Sequence, residues 1–137
     1  MPTGSMWFSV RNGRSAVKPT VAQPDESREF STPEHCSILE VWNDAGDFAA
    51  SIARARVAPG ATTQWHRLHG VVERYLIVEG SGFVEVGDSV AQPVVPGDVV
   101  VIPTEVRQRI TNAGTDDLVF YCICSPRFTP ECYESLE

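Results

Sequence analysis

The sequence lacks the features that mark membrane, exported and nucleic-acid-binding proteins. No apolar run in its 137 residues approaches the roughly 20 residues needed to cross a bilayer. The N-terminal stretch MPTGSMWFSVRNGRSAVKP has no apolar core of the kind found in secretory signals. The formal net charge of −7 offers no basic surface to nucleic acid. These absences predict a soluble cytoplasmic protein with neither a membrane nor a nucleic-acid partner.

The four cysteines lack the paired CxxC spacing of a structural zinc site. Cys122 and Cys124 are two residues apart in the run LVFYCICS, so on a strand both side chains face the same way. We interpret them as small buried apolar residues. The alternatives are a pair of soft copper ligands or a redox switch.

No window shows the 3.6-residue apolar spacing of a sustained helix. From residue 36 onward, short β-branched runs alternate with glycine or proline at intervals of roughly 8–12 residues, as in all-β sandwiches and barrels. The runs are CSILEVW, FAASIARARV, TTQWHRL, ERYLIVE, GFVEV, VAQPVV, DVVVIP, VRQRITN and DLVFYCIC. They predict a single all-β barrel domain over residues 34–125. Residues 1–33 form an arm that is flexible or pairs with a neighbouring subunit, and residues 126–137 form a tail on the barrel.

The stretch GATTQWHRLHGVVERYLIVEG, residues 60–80, gathers candidate metal ligands. His66, His69 and Glu73 lie between two glycines. Residues two apart on a strand share a face, so imidazoles and a carboxylate from neighbouring strands can converge on one ion. A mixed set of nitrogen and oxygen donors suits iron, manganese, nickel, zinc or copper and leaves positions open for substrate.

This stretch resembles the first signature of the cupin superfamily, in which a glycine precedes two histidines two residues apart, then a glutamate and a closing glycine. Gly60, His66, Glu73 and Gly80 fall at matching places. The resemblance covers residues 36–125 and implies a double-stranded β-helix, that is, a jelly-roll barrel holding one divalent metal. Because small cupins commonly pair sheet to sheet, it also implies a homodimer.

The first signature is incomplete, because its second histidine position falls on Leu68. His69 follows one residue later and faces the other way on a regular strand. It reaches the site only through a bulge, or if the strand ends at Leu68. A second register, counted back from Glu73, makes His69 the second ligand and puts Arg67 in the first position.

The second cupin signature is also matched in part, at Gly97, Pro103 and Asn112. Gln108 stands where the signature has a histidine, and Glu105 stands where it has a glycine. A glutamine side-chain carbonyl is a weak neutral donor that some metal-binding cupins use. The resemblance therefore implies a metal set of His66, Glu73 and Gln108, with His69 as a conditional fourth ligand.

The implied function is that of a metal-dependent enzyme, a dioxygenase (an oxidoreductase) or an isomerase, acting on a small organic molecule. The alternative is a metal-free cupin that binds a small ligand, as a sensor or storage protein, or acts like an epimerase. Metal-free members of the family use a histidine and a tyrosine as acid and base. Tyr75 shares the face of Glu73 by strand parity, so it is the candidate catalytic residue; core filling is its other interpretation.

Arginines flank the candidate ligands. If Glu73 and Gln108 face inward, strand parity turns their neighbours outward into salt bridges. Those neighbours are Arg67, Arg74, Arg107 and Arg109. Parity does not extend through the loops to Arg54 and Arg56. If either of these faced the cavity, it would predict an acidic substrate carrying a carboxylate or phosphate.

Overall fold

The computed structural model describes residues 17–137. Within that range, almost all regular structure is β-strand, and the two helical segments, Glu26–Arg28 and Pro130–Cys132, are single 3-10 turns. Neither turn approaches the length or the apolar character of a membrane-spanning helix. The strands are β1 (Phe30–Ser31), β2 (Ser37–Trp42), β3 (Ser51–Val57), β4 (His66–Leu68), β5 (Val72–Glu79), β6 (Gly82–Val86), β7 (Gln92–Val94), β8 (Val99–Ile102), β9 (Gln108–Asn112), β10 (Leu118–Ser125) and β11 (Tyr133–Ser135).

The strands form two sheets in which every paired neighbour is antiparallel. The first sheet has the order β11-β4-β9-β6-β7, and the second has the order β1-β2-β3-β10-β5-β8. Consecutive strands repeatedly fall in different sheets, so the chain winds back and forth between the two layers. This is the double-stranded β-helix that the sequence predicts, and the all-β, jelly-roll prediction is confirmed.

Alternating burial along the strands builds the interior. On β5, Glu73, Tyr75 and Ile77 are buried, while the residues between them are only partly covered. This period of two places every second side chain between the sheets. Apolar residues from both sheets fill one part of that space, with Val57, Ile110 and Leu118 fully shielded from solvent. Each such side chain contributes roughly 1.5–3 kcal/mol to stability by leaving water.

Strands form in all nine runs predicted from the sequence, but the terminal segments do more than the sequence indicates. The arm supplies β1, which pairs with β2, and the tail supplies β11, which pairs with β4. Residues 1–16 of the predicted arm lie outside the described residues. Each terminal segment therefore extends one sheet, and the tail strand β11 lies beside β4, the strand that carries His66.

A glycine at the start of β6 allows two backbones to approach closely. A Cβ on Gly82 would collide with the backbone carbonyl oxygen of Thr111 on the adjacent strand β9 and would crowd the side chain of Leu118. No side chain fits there without separating β6 from β9, which carries Gln108.

We therefore expect Gly82→Ala to lower the free energy of unfolding by about 1–3 kcal/mol, because an overpacked backbone cannot relax as a side chain does. Gly114→Ala is the matched control, since the nearest atom to its Cβ would be Oγ of the exposed Ser81 at 3.3 Å, and its other neighbours lie at 3.6 Å or more. Chemical denaturation of both variants measures the difference. Equal stability of the two variants would contradict the predicted close approach.

Candidate functional site

A cavity of about 590 Å³ opens between the two sheets. Apolar side chains such as Ile38, Ala55 and Phe120 form much of its wall. Its polar groups include His66 on β4 and Glu73 and Tyr75 on β5. The structure thus brings together, from different strands, three residues that the sequence analysis singled out. A volume of this size suits a small organic molecule.

His66 is held by its neighbours with one ring nitrogen available. The side chain is buried, and Nδ1 lies 2.8 Å from the carbonyl oxygen of Gln64. Because a carbonyl only accepts, Nδ1 carries a proton, so Nε2 is the nitrogen that bears the lone pair in the neutral tautomer. The ring stacks on Tyr133, with centroids 5.2 Å apart, and Glu34 Oε2 lies 3.7 Å from Nδ1. These contacts fix the orientation of the His66 ring in the cavity wall.

Glu73 is a buried carboxyl group. Its Oε1 accepts a hydrogen bond of 2.8 Å from Gln108 Nε2, and its Oε2 lies 3.9 Å from the thiol of Cys124. Burial raises the pKa of Glu73 above its ordinary value of 4.5, while the hydrogen bond from Gln108 and the nearby imidazole of His66 act in the opposite direction. Burial therefore shifts Glu73 towards its protonated form relative to an exposed glutamate.

Gln108 lies behind the cavity wall and uses both ends of its amide group to bind two wall residues. It is fully buried on β9, its Nε2 donates to Glu73, and its Oε1 accepts from the hydroxyl of Tyr75. Burial raises the pKa of Tyr75 well above its ordinary range, so the phenol keeps its proton. Tyr75, Gln108 and Glu73 form one hydrogen-bonded chain.

His69 lies apart from this group. Strand β4 ends at Leu68, whose buried side chain lines the cavity, and the chain then turns at Gly70, which has a positive φ of 71°. Of the two registers left open by the sequence, the structure has the one with His66 and Leu68 facing inward. The imidazole of His69 is exposed and binds Glu105 at 2.6 Å and Glu134 at 2.7 Å, which raise its pKa.

The donor set fits a catalytic divalent ion poorly. Leu68 replaces one family ligand, His69 is outside, and the carbonyl of Gln108 is engaged by Tyr75. That leaves His66 Nε2 and the carboxyl group of Glu73, whereas catalytic centres hold the ion with three protein donors. Residues 17–137 contain no cluster of three or more His, Cys, Asp or Glu side chains placed to hold a metal ion. Metal binding stays a prediction.

The arginines lie outside the cavity. Arg67 and Arg109 pair with Glu134 and Glu85 at 2.8 and 2.7 Å, as strand parity requires. Arg54 binds Glu26 at 2.7 Å, in the arm. Arg56 likewise binds the arm at Glu29 and also Asp117 beside β10. Neither lines the cavity, so the condition for an acidic substrate is not met.

Three thiols line the cavity, on Cys36, Cys122 and Cys124. All four cysteines are free, and burial raises the pKa of Cys36 to about 12 and that of the other two well above the ordinary range. Such thiols stay protonated and weakly nucleophilic. This agrees with their interpretation as small apolar wall residues.

Two residues of the site were missed by the sequence analysis. Glu34 lies before β2, and Tyr133 begins β11. The hydroxyl of Tyr133 donates to Glu34 Oε2 at 2.9 Å, beside the ring of His66. Neither belongs to a cupin signature, and only long-range pairing of the terminal segments brings them to the site. No local sequence signal marks them.

The match to known families agrees with this architecture. A family model described as "Cupin domain" matches residues 53–124, more than half of the chain. The chain belongs to the cupin superfamily. The uncharacterized protein MJ1618 of Methanocaldococcus jannaschii is 33% identical over 87 residues, which are 64% of this chain and 69% of that protein.

Solved cupin-like structures share the fold at low sequence identity. Streptomyces Pac13, solved as a variant with uridine, is 18% identical with a TM-score of 0.73, covering 88% of this chain and 92% of its own. KdgF from a Halomonas species is 17% identical with a TM-score of 0.69, covering 80% and 96%. A double-stranded β-helix protein of Klebsiella pneumoniae is 12% identical with a TM-score of 0.67, covering 82% and 93%. At these identities the likeness shows the fold alone.

We expect Glu73→Gln to become more stable relative to the wild type as pH rises. Because burial raises the folded-state pKa of Glu73, its protonated form stabilises the fold at low pH, and that contribution is lost as pH rises through the folded-state pKa. The glutamine cannot ionise. Denaturation between about pH 5 and about pH 8 measures the difference.

Glu105→Gln is the matched control for this pH dependence. The pKa of Glu105 is lowered, first by the hydrogen bond from the Gly70 amide and next by that from His69. Its carboxylate therefore stabilises the fold at every pH above the unfolded-state pKa, so the variant should be less stable than the wild type by an amount that stays constant between about pH 5 and about pH 8. Parallel pH profiles for the two variants would contradict the buried, protonated state of Glu73.

We expect Gln108→His to bind divalent metal more tightly than the wild type, because it replaces an engaged amide with an imidazole donor at the family's third histidine position. Elemental analysis of protein purified without added metal, followed by titration with zinc, measures both forms. A wild-type protein that already holds one ion per chain would contradict the poor fit of the donor set.

Proposed function

We propose that this cupin catalyses metal-independent proton transfer on a small organic molecule, and that the reaction removes water from a β-hydroxy carbonyl compound. One observation carries the proposal. An imidazole with its lone pair fixed on Nε2 and a carboxyl group that favours its proton line the same cavity. Elimination of water needs a base that takes a proton from carbon and an acid that gives a proton to the leaving hydroxyl group.

In the proposed step, His66 Nε2 takes a proton from the carbon next to the carbonyl. The electron pair of that C–H bond forms a carbon–carbon double bond, and the C–O bond at the β-carbon breaks. The departing hydroxyl takes the proton of Glu73 and leaves as water. Imidazolium and carboxylate remain, and a proton passing from one to the other restores the site. Glu34, 3.7 Å from Nδ1, stabilises the imidazolium.

The buried chain behind Glu73 positions the acid. Gln108 holds Oε1, which leaves Oε2 as the oxygen that can carry the donated proton. Tyr75 fixes the amide of Gln108 from the other side. We therefore assign Tyr75, the catalytic candidate of the sequence analysis, the role of a positioning residue. Its hydroxyl is committed to Gln108, and its raised pKa makes it a poor base.

One structural relative supports the proposal of a dehydration reaction. Pac13, which shares the fold, is described as a nucleoside dehydratase. Loss of water is therefore a reaction that this barrel accommodates. The metal-dependent dioxygenase or isomerase implied by the cupin resemblance needs a third donor that Leu68 and the engaged Gln108 do not supply. Ligand binding without catalysis leaves the paired acid and base without a role.

We expect His66→Gln and Glu73→Gln each to lower the rate of the proposed reaction by about 10²–10⁴-fold. A panel of β-hydroxy aldehydes and ketones, incubated in D₂O and followed by NMR, reports both exchange of the α-proton and loss of water. Exchange should fail in His66→Gln and persist in Glu73→Gln, which retains the base. Arg107→Gln, which changes an exposed ion pair with Asp88, is the control and should keep the wild-type rate.

Dependence on metal separates the two enzyme hypotheses. Wild-type activity should survive dialysis against a chelator. Activity that disappears on dialysis and returns with a divalent ion would contradict the proposal and restore the metal-dependent interpretation. Unchanged turnover in His66→Gln would also contradict it.

A further inference from the structure

We infer that the cavity selects an uncharged molecule with one polar end and an apolar body about 10 Å long, and that it rejects anionic compounds such as phosphates and carboxylates. The inference rests on the proposed function only in taking this cavity as the ligand site. The inference adds the class of substrate, because the positions of the acid and the base do not by themselves identify it.

The charged groups around the cavity argue against an anion. Among the described residues, its wall contains three carboxyl side chains, Glu34, Glu40 and Glu73, and no lysine or arginine. The one cationic form available is that of His66, which already faces Glu34. An anion entering here would lose its hydration without gaining a counter-charge, a cost of several kcal/mol in a buried site.

The nearest arginines are held on the opposite face of the sheet. Arg54 and Arg56 alternate on β3 with Ala53 and Ala55, whose side chains line the cavity. A one-residue shift of β3 would exchange the two sets, but pairing with β2 and β10 holds β3 in the observed register. On the outer face, Arg54 binds Glu26 of the arm at 2.7 and 2.9 Å. The cavity-facing row of β3 is therefore uncharged.

The positions of the polar groups set the length and polarity of the ligand. In the six-stranded sheet, β10 lies between β5, which carries Glu73, and β3, which carries Ala53. Neighbouring strands are about 4.8 Å apart, so the apolar row on β3 lies roughly 10 Å from the row of the acid. A ligand whose reacting group reaches His66 and Glu73 extends its body over Ala53 and Ile38, which line the same cavity.

The test uses two fluorescent probes with one skeleton. N-phenyl-1-naphthylamine is uncharged, and 8-anilinonaphthalene-1-sulfonate differs from it by one sulfonate. We expect the uncharged probe to bind at least roughly tenfold more tightly, a difference of about 1.4 kcal/mol. Fluorescence titration measures both dissociation constants. Equal or tighter binding of the sulfonate would overturn the inference, as would no binding of the uncharged probe.

Two substitutions at one position show whether the probe lies in the cavity. Ala53 is half-buried, so Ala53→Phe should fill the space and abolish binding of the uncharged probe, and Ala53→Arg should reverse the preference in favour of the sulfonate. Thermal unfolding verifies that both variants fold. Binding that is unchanged in Ala53→Phe would place the probe elsewhere and overturn the inference.

Failure of the inference is distinguishable from failure of the proposed function. His66→Gln should leave binding of the uncharged probe within about twofold of wild type, because the probe lies mainly over the apolar row, while it lowers turnover by about 10²–10⁴-fold. Tight binding of the sulfonate together with a dead His66→Gln variant would reject the substrate class and keep the mechanism. Tighter binding of the uncharged probe together with a fully active His66→Gln variant would keep the substrate class and reject the mechanism.

Discussion

The amide of Gln108 joins the hydroxyl of Tyr75 to the carboxyl of Glu73, and the organisation of the cavity wall depends on this bridge. All three groups are buried, so each needs a partner inside the protein. Loss of the amide would leave a phenol and a carboxyl unpaired, at about 1–3 kcal/mol for each group. The same bridge fixes the orientation of Glu73 and occupies the carbonyl that a metal ion would need. The Gln108 side chain therefore cannot keep its hydrogen bond from Tyr75 and bind a metal ion through the same carbonyl oxygen.

The barrel and the terminal segments contribute different parts of the site. His66 and Glu73 lie within the region that matches the cupin domain, residues 53–124. Glu34 and Tyr133 lie outside it and meet each other beside the imidazole. A shared fold does not determine function, which depends on the side chains placed at the site. The terminal segments are where this chain adds its own groups to a common scaffold.

Local sequence patterns predicted the strands and the inward face of most of them. Period-two alternation places Glu73, Tyr75 and Ile77 inside and turns Arg67 and Arg109 outward, as observed. The same alternation predicts that His69 faces outward, because it lies three residues after the inward-facing His66. The pairing of Tyr133 with Glu34 joins residues 99 positions apart, and no local pattern encodes it. The sequence also did not predict that Gln108 bridges Tyr75 and Glu73. A glutamine amide can bind a metal ion or join two polar groups, and the surrounding side chains determine which it does.

The proposed acid role of Glu73 requires that its carboxyl group carry a proton in the folded protein, a form that burial favours. The infrared spectrum of the wild type minus that of Glu73→Gln, recorded at neutral pH in H₂O and D₂O, tests it directly. The account predicts the C=O stretch of a protonated, desolvated carboxylic acid, shifted by deuteration and absent from the variant. A difference spectrum containing only carboxylate bands would show an ionised Glu73 and contradict the acid role.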